Sequence, residues 1–578
     1  MAVSKRQKSC LTRAASPVRD PASILATRSL IQPGGPYETC LAMRGGQQVE
    51  VFANHPQTLT ELWLQAARSP SRRALVDQGC EYSSADLFGR AGAIAQWLQK
   101  DMGIVGGDTV GIALPAGLDL MAAFIAITGI GARAAMLNIR GAGEELAHAS
   151  TSAGTKLIVA DVERLTALSS FHDDMAALCV GEDELAQAAT RHSGAAFAPE
   201  PVQPEDSAAI LFTSGTTGWP KPVLHTHGSL AHTAVLGGLV ADLQDLTFER
   251  EFDQSVPPER RAASAATVIA SPMFHMSGMT PFLRGLCFHA TLFVMTRWNA
   301  EAALALMERE TVTRLGFVPA MLLDMIRSPL ANDRNLGSIN LLANGAAALD
   351  VRIVEEIRLK MPQVMLANSY GMTESGAWGT SIYGRDYLAH PTSAGYALPT
   401  LQLRIARSDD SDAPTGENGE ILLRGASVMR EYIGFPDETA ETLRGGWLHT
   451  GDVGWLDDDG RLFIADRIKN MIISGGENVY AAEVERVLNE CPGVAESLVF
   501  GLPDERLGEL VVAAVVAKDG ALPGEEELRR MLRQRLAGYK VPKQIFVLDE
   551  ALPRTSTMKV DRGTFLRQFR EGMARQGA

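Results

Sequence analysis

From Leu59 onward apolar residues recur at helical spacing, with Leu59, Leu62, Leu64 and Ala67 near one face. Short β-branched runs then alternate with helical ones. Thr109–Ala113 reads as a strand, Leu118–Ile127 as a helix, and Lys156–Ala160 and Ala208–Phe212 as further strands. This rhythm predicts an α/β fold, with a large N-terminal domain of α/β layers built on mixed sheets. The pattern changes near residue 467. Gly460–Ile464 reads as a strand, followed by the polar stretch Asp466-Arg467-Ile468-Lys469-Asn470 and the short apolar run Met471–Ile473. A small C-terminal α+β unit follows: a helix from Ala482, strands Glu496–Phe500 and Leu510–Ala517, and a helix from Glu525. The domains are therefore expected at 46–468 and 469–578. Residues 1–45 are rich in Pro, Gly and Ser and show no sustained period, and Lys5, Arg6, Lys8, Arg13 and Arg19 precede the first acid, Asp20. A disordered basic tail is the plain reading; an organelle transit peptide is the alternative.

At 578 residues the chain is too long for one simple core. Its 46% hydrophobic and 21% charged content suits a globular protein. The net charge of −14 repels phosphate backbones at long range and argues against nucleic acid. An anionic ligand would need a locally positive site. Cys10, Cys40, Cys80, Cys179, Cys287 and Cys491 form no CxxC pair and read as reduced thiols of a cytoplasmic protein. The most apolar stretch, Leu120–Ala132, falls short of the ~20 residues that span a bilayer, so a buried helix is expected and no stable membrane insertion.

The candidate chemistry begins at Thr213-Ser214-Gly215-Thr216-Thr217-Gly218-Trp219-Pro220-Lys221. A strand entering a Ser/Thr/Gly-rich loop offers backbone N–H groups, hydroxyls and a cation to phosphate oxygens. GxxxxGK[ST] does not fit, so this is not a Walker A loop. The run resembles the signature of the adenylate-forming superfamily of acyl-CoA synthetases, peptide-synthetase adenylation domains and luciferases. Pro222 stands where glycine is usual, which removes a donor and stiffens the chain. Further blocks follow in the family's order. They are Pro272–Gly278, Leu342–Ala347, Asn368–Glu374, Trp447–Asp452, Asp466–Lys469, Gly475–Asn478 and Pro553–Lys559.

The resemblance implies an acyl-CoA synthetase. A carboxylic acid attacks the α-phosphorus of ATP to give acyl-AMP and pyrophosphate, and coenzyme A then takes the acyl group. The acid is already ionised near pH 7, so the demand is for positive charge, donors and alignment. The implied ATP and AMP site is Thr213, Ser214, Gly215, Thr216, Thr217, Gly218, Lys221, Gly345, Ala346, Ala347, Asn368, Ser369, Tyr370, Gly371, Met372, Thr373, Asp452, Arg467 and Lys559. Tyr370 would stack on adenine, Asp452 and Arg467 would take the ribose, and Lys559 the reacting carboxylate and α-phosphate. His275, Thr373, Glu374 and Lys559 are the implied catalytic set, and Thr216 and Glu374 would hold Mg²⁺. His275, Met279, Gly345, Ala346, Ala377 and Trp378 are the candidate acyl-pocket walls. Lys469 sits at the hinge position of a mobile C-terminal domain, and Ser474, Gly475, Gly476 and Glu477 would face CoA. An enzyme that loads an acyl carrier protein is the alternative. The acid stays open among aliphatic, aryl and polycyclic terpenoid classes, and so does the assembly, a homodimer included.

Overall fold

A computed structural model of the chain describes residues 21–576 apart from 70, 72, 172–176, 215–218, 257–265, 333–335, 346–348, 350, 476, 505, 519–521 and 556–558. The α/β rhythm becomes layers. In the seven-stranded sheet, Leu178–Gly181, Thr155–Ala160, Thr109–Ala113, Arg133–Met136 and Ser207–Ser214 run parallel, and Pro220–Thr226 and Glu431–Tyr432 close one edge antiparallel. A five-stranded sheet runs Arg314–Phe317, Leu341–Asn344, Met365–Tyr370, Thr380–Tyr383, Tyr396–Ala397. A four-stranded antiparallel sheet carries Leu448–Leu456 beside Leu462–Arg467.

The predicted buried helix is Leu118–Gly129, with Leu120 through Gly129 all buried. Each such large apolar side chain contributes roughly 1.5–3 kcal/mol by leaving water. The first periodic helix, Leu59–Arg68, buries Leu59, Leu62, Trp63 and Ala66 rather than the Leu64 and Ala67 of the sequence reading. Trp63 sets the face: its indole N–H donates to Thr128 Oγ1 at 3.0 Å.

The expectation of a structureless segment through residue 45 is corrected. Pro21–Ile31 is a helix whose Ala26, Leu30 and Ile31 pack on the main core, and Thr39–Arg44 pairs antiparallel with Gln47–Phe52. Buried Tyr37 donates its hydroxyl to Asp242 Oδ2 at 2.7 Å. Elements this short carry too few repeats to register as a period. Residues 1–20, with Cys10 and the basic cluster, lie outside the described residues.

Two helices frame the site. His227–Phe252 starts at a capping box between Thr226 and Ser229, and Met276–Cys287 packs across it. The close approach requires glycine, because a Cβ on Gly238 would sit 2.2 Å from the Phe288 ring. Beyond residue 471 the chain has cores of its own. Ile472, Val484, Leu488, Val499, Ala513, Val515 and Leu528 belong to one, and Leu498, Phe500, Leu552 and Phe565 to another; neither includes a described residue before Ile472.

Candidate active site

The strands Ser207–Ser214 and Pro220–Thr226 flank the phosphate loop and place Lys221 opposite Thr213. The Lys221 ammonium lies 5.6 and 5.7 Å from the ring centroids of Tyr432 and Phe435, and 3.6 Å from Glu438 Oε1. Gly215, Thr216, Thr217 and Gly218, with the Ser214 side chain, lie outside the described residues. Pro222 is in the strand, past the loop's turn. Its carbonyl accepts from Ile433 N–H at 3.0 Å, on the Glu431–Tyr432 side. In a strand a residue's N and O share an edge, so the missing N–H costs the 207–214 ladder nothing.

Asp452 and Arg467, fifteen residues apart in sequence, are Cα partners across the Leu448–Leu456 and Leu462–Arg467 pair. Asp452 is 4% exposed; its Oδ1 lies 2.9 Å from Arg467 Nε, and its Oδ2 accepts the Tyr370 hydroxyl at 2.8 Å. Asn368 is the register partner of Asn344, accepts from its Nδ2 at 3.1 Å and donates to the Ser393 carbonyl at 3.1 Å. Ser369 Oγ lies 3.0 Å from Ser381 Oγ, and Gly345 N–H donates to the Phe317 carbonyl at 3.3 Å. Gly371 has no alternative: a Cβ there would sit 2.1 Å from the Ala377 carbonyl oxygen. The turn after Met372 closes by Ala377 N–H to the Met372 carbonyl at 2.9 Å, with Gly376 at φ 70° and Ala377 at φ 72°. A non-glycine residue there stores strain beside the site. Ala346 and Ala347 lie outside the described residues.

Two contacts escaped the sequence reading. Buried His225 holds the Thr373 carbonyl through Nε2 at 2.8 Å, and Tyr432 donates its hydroxyl to Glu374 Oε1 at 2.7 Å. Nothing local marks Tyr432, because its partner is 58 residues away. Glu374 is 5% exposed, and burial raises its pKa. Among the described residues no three His, Cys, Asp or Glu converge as a metal cage. One enclosed carboxylate fits an ion that arrives on phosphates, since Mg²⁺ takes one or two carboxylates together with phosphate oxygens and waters.

Lys559 reaches this cluster from the C-terminal domain. Protein atoms crowd it and desolvation lowers its pKa, helped by Arg467 and opposed by Asp452, while its surface stays accessible. Lys559 is thus an accessible cation within electrostatic reach of Asp452 and Arg467. His275 occupies the N-cap position of Met276–Cys287. Its Nε2 is buried without a hydrogen-bond partner, and its pKa falls to about 4 through burial, then the charges of Lys559 and Arg140. The ring is therefore neutral at pH 7, with its Nε2 enclosed by protein.

His225, His227 and His232 are enclosed too, with pKa values of about 4, 4 and 3 set mainly by burial. All four histidines fall below the unfolded value near 6.5. Their contribution to stability is thus complete above pH 6.5 and is lost as pH drops toward 4. The unfolding free energy from denaturant titrations is expected to fall steadily from pH 7 to 5, by an amount of order 1–2 kcal/mol per histidine. A flat profile across that range would contradict their neutral burial.

The Met276–Cys287 helix keeps few of its side chains accessible. Met279 is 0% exposed and packs in the main core, so it is not a pocket wall. Nine of the twelve residues are buried; Ser277, Pro281 and Arg284 keep accessible surface. Spacings of four and three put them on one stripe leading away from His275. Trp378 lies against the other framing helix, its indole N–H donating to the Thr233 carbonyl at 3.2 Å, and Ala377 precedes it, partly exposed. Ser474, Gly475 and Glu477 sit apart from this cluster, on the hairpin of Ile472–Ser474 and Glu477–Val479, with Gly475 and Glu477 exposed. Gly476 lies outside the described residues.

The AMP-binding enzyme family model matches residues 62–433, and the AMP-binding enzyme C-terminal domain model matches 483–559. A feruloyl-CoA synthase of Amycolatopsis sp is 33% identical over 87% of this chain and 97% of its own length. An indoleacetate–CoA ligase of Aromatoleum aromaticum is 34% identical over 76% and 84%. Among solved structures, the o-succinylbenzoate CoA synthetase of Bacillus subtilis in complex with its acyl-adenylate intermediate has a TM-score of 0.74 at 28% identity, covering 87% of this chain and 97% of that one. With Asp452, Arg467, Tyr370 and Lys559 converging as described, the chain belongs to the AMP-binding enzyme family, in its AMP-forming acyl-CoA ligase branch.

Proposed function

We propose that the Asp452 cluster is the centre on which an acid is adenylated. The observation that carries this reading is the enclosed Asp452 carboxylate, held by Arg467 and Tyr370 from the large domain with the Lys559 charge brought in from the small one. Asp452 offers two acceptors to vicinal ribose hydroxyls, and Tyr370 a ring to adenine. Thr213, Lys221 and the loop between them grip the outgoing pyrophosphate. Glu374, with Thr216, would hold Mg²⁺, which offsets charge on the phosphates. Lys559 faces the reacting carboxylate and the α-phosphate. The carboxylate oxygen bonds to the α-phosphorus as the bond to the bridging oxygen breaks, and pyrophosphate leaves. The C-terminal domain, with its boundary at residues 468/469, then turns about Lys469 and brings Ser474–Glu477 toward CoA, whose thiolate displaces AMP from the acyl carbon.

The named relatives act on ferulate, indoleacetate and o-succinylbenzoate, which supports an aryl acid here. We assign the protein to the cytoplasm, where ATP and CoA are both available; no helix is long and apolar enough to cross a membrane among the described residues. The test is acid-dependent ATP–pyrophosphate exchange followed by CoA-dependent AMP release. Both are expected with aryl acids. Exchange without any gain on adding CoA would point to a carrier protein as the acceptor instead.

A further inference from the structure

Between Pro220 and Thr226 the side chains alternate between two cores. Leu224 belongs to the one that holds Phe212 and Leu146, Ala149 and Ala153 of the helix Gly143–Ala153. Val223 belongs to the other, with Met429 and Tyr432. Lys221, in phase with Val223, takes the Tyr432 side, where its ammonium meets the rings of Tyr432 and Phe435. Trp219 would share that side if the strand continued. It stands just outside the strand and stacks instead on His148 of the helix, with ring centroids 4.4 Å apart and planes at 28°. Within three residues the chain is therefore met by rings from both faces of the sheet.

The backbone leaves this task to the side chains. Pro222 and Leu224 turn their carbonyls toward the Glu431–Tyr432 edge, accepting from Ile433 N–H at 3.0 Å and Arg430 N–H at 2.8 Å. Lys221 and Val223 therefore face Thr213 and Leu211. Pro220, in phase with Pro222, turns away from its partner Ser214 and has no N–H. The ladder to Ser207–Ser214 thus ends at Lys221, the residue that carries the ammonium. The platform under Trp219 is firm: the His148 helix buries Leu146, Ala147, Ala149, Ser150 and Ala153 and shares its core with both strands that flank the phosphate loop. Trp219 is 39% exposed. An indole with that much surface adds less to the core than a buried one, so the stack acts chiefly on the direction of the chain at Pro220 and Lys221.

We propose that His148 is a positioning residue for the use of ATP: its ring holds Trp219, and Trp219 holds the Pro220–Lys221 arm so that the Lys221 ammonium meets the outgoing pyrophosphate. This rests on the reading that Lys221 and the loop before it grip that group. Without the stack the strand end frays, and a misplaced cation costs most where charge shifts onto the leaving group. The thioester step carries no pyrophosphate, so His148 has no part in it.

The experiment measures ATP–pyrophosphate exchange, with the aryl acid the wild type exchanges fastest, and acyl transfer from the matching acyl-adenylate to CoA, in the full-length enzyme. His148→Ala is expected to raise the KM for ATP about 3- to 10-fold and to leave acyl transfer within twofold of wild type. His148→Phe, which keeps a ring, is expected to restore the KM. Trp219→Ala is expected to match His148→Ala, and the double variant to be no worse than either single one. Equal loss in both half-reactions would mean a merely structural role and overturns the proposal. So does His148→Phe performing as poorly as His148→Ala, or additive effects of the two alanine variants. Lys221→Ala separates this inference from its basis. If that variant leaves the KM for ATP unchanged, the pyrophosphate reading falls and this one with it; if it raises the KM while His148→Ala does not, only this one falls.

Discussion

Lys559→Ala is expected to lower acid-dependent pyrophosphate exchange by about 10²–10³-fold while leaving acyl transfer from supplied acyl-adenylate to CoA within a few-fold of wild type. The reason is where the charge stands. Lys559 is the C-terminal domain's contribution to the Asp452–Arg467 cleft, and desolvation already works against its charged form there. Asp452 favours the charge, but Arg467, beside it, opposes it. The ammonium is thus placed in a cleft whose remaining demand is for negative charge, which an attacking carboxylate and an α-phosphate supply. The backbone supports this placement: Thr555 N–H donates to the Lys559 carbonyl at 2.8 Å, and Arg554 bridges Val560. In the proposed cycle, transfer to the thiol breaks the acyl–phosphate bond after the domain has turned, with Lys559 withdrawn. Loss of both half-reactions to the same degree would sink the two-conformation reading.

Lys469→Pro is the converse probe. It is expected to cost the thioester step about 50-fold or more, and adenylation no more than about fivefold. Lys469 lies in the single 3-10 turn Ile468–Asn470, between the last strand of the large domain and the first of the small one. Proline's φ near −65° suits such a turn, so the state seen here is largely tolerated; the modest loss comes from crowding at Ile468. The proposed rotation about Lys469 needs that φ to change, and proline forbids it. The turn is otherwise well anchored. Asp466 accepts from Arg467 N–H at 2.7 Å through Oδ1 and from Ala482 N–H at 2.8 Å through Oδ2, which ties the strand's end to the first helix of the small domain. The bond to Ala482 spans the turn, so it must open when the domain rotates as proposed. Pre-steady-state rates of acyl-AMP formation and of CoA consumption separate the two steps, and a selective loss of adenylation would contradict the hinge assignment.

Chemistry that is local in sequence was legible in sequence. The strand–loop–strand around Thr213–Lys221, the order of the later motifs, and the shift of pattern near residue 467 follow from residue types at fixed short spacings. Backbone geometry and phosphate binding demand those spacings wherever the chain goes. Gly371 is a case in point: the Ala377 carbonyl excludes any side chain there, so its identity is a requirement of one tight turn.

Tertiary packing decided the rest. A helix's periodicity says that it has two faces, and cannot say which one a neighbour covers. Met279 was a candidate pocket wall; packing buries it in the main core, and only Ser277, Pro281 and Arg284 of its helix keep accessible surface. Tyr432 on Glu374, His225 on the Thr373 carbonyl, and the Arg284–Asp242 neighbourhood join residues 42 to 148 positions apart. No propensity or local motif encodes such pairs, because each is chosen by how separate layers dock. Sequence alone thus determined the reaction class, through short motifs whose geometry is self-contained. Which side chains around the site are enclosed and which stay accessible was decided only when the layers closed on each other, because burial depends on the neighbour and not on the segment itself.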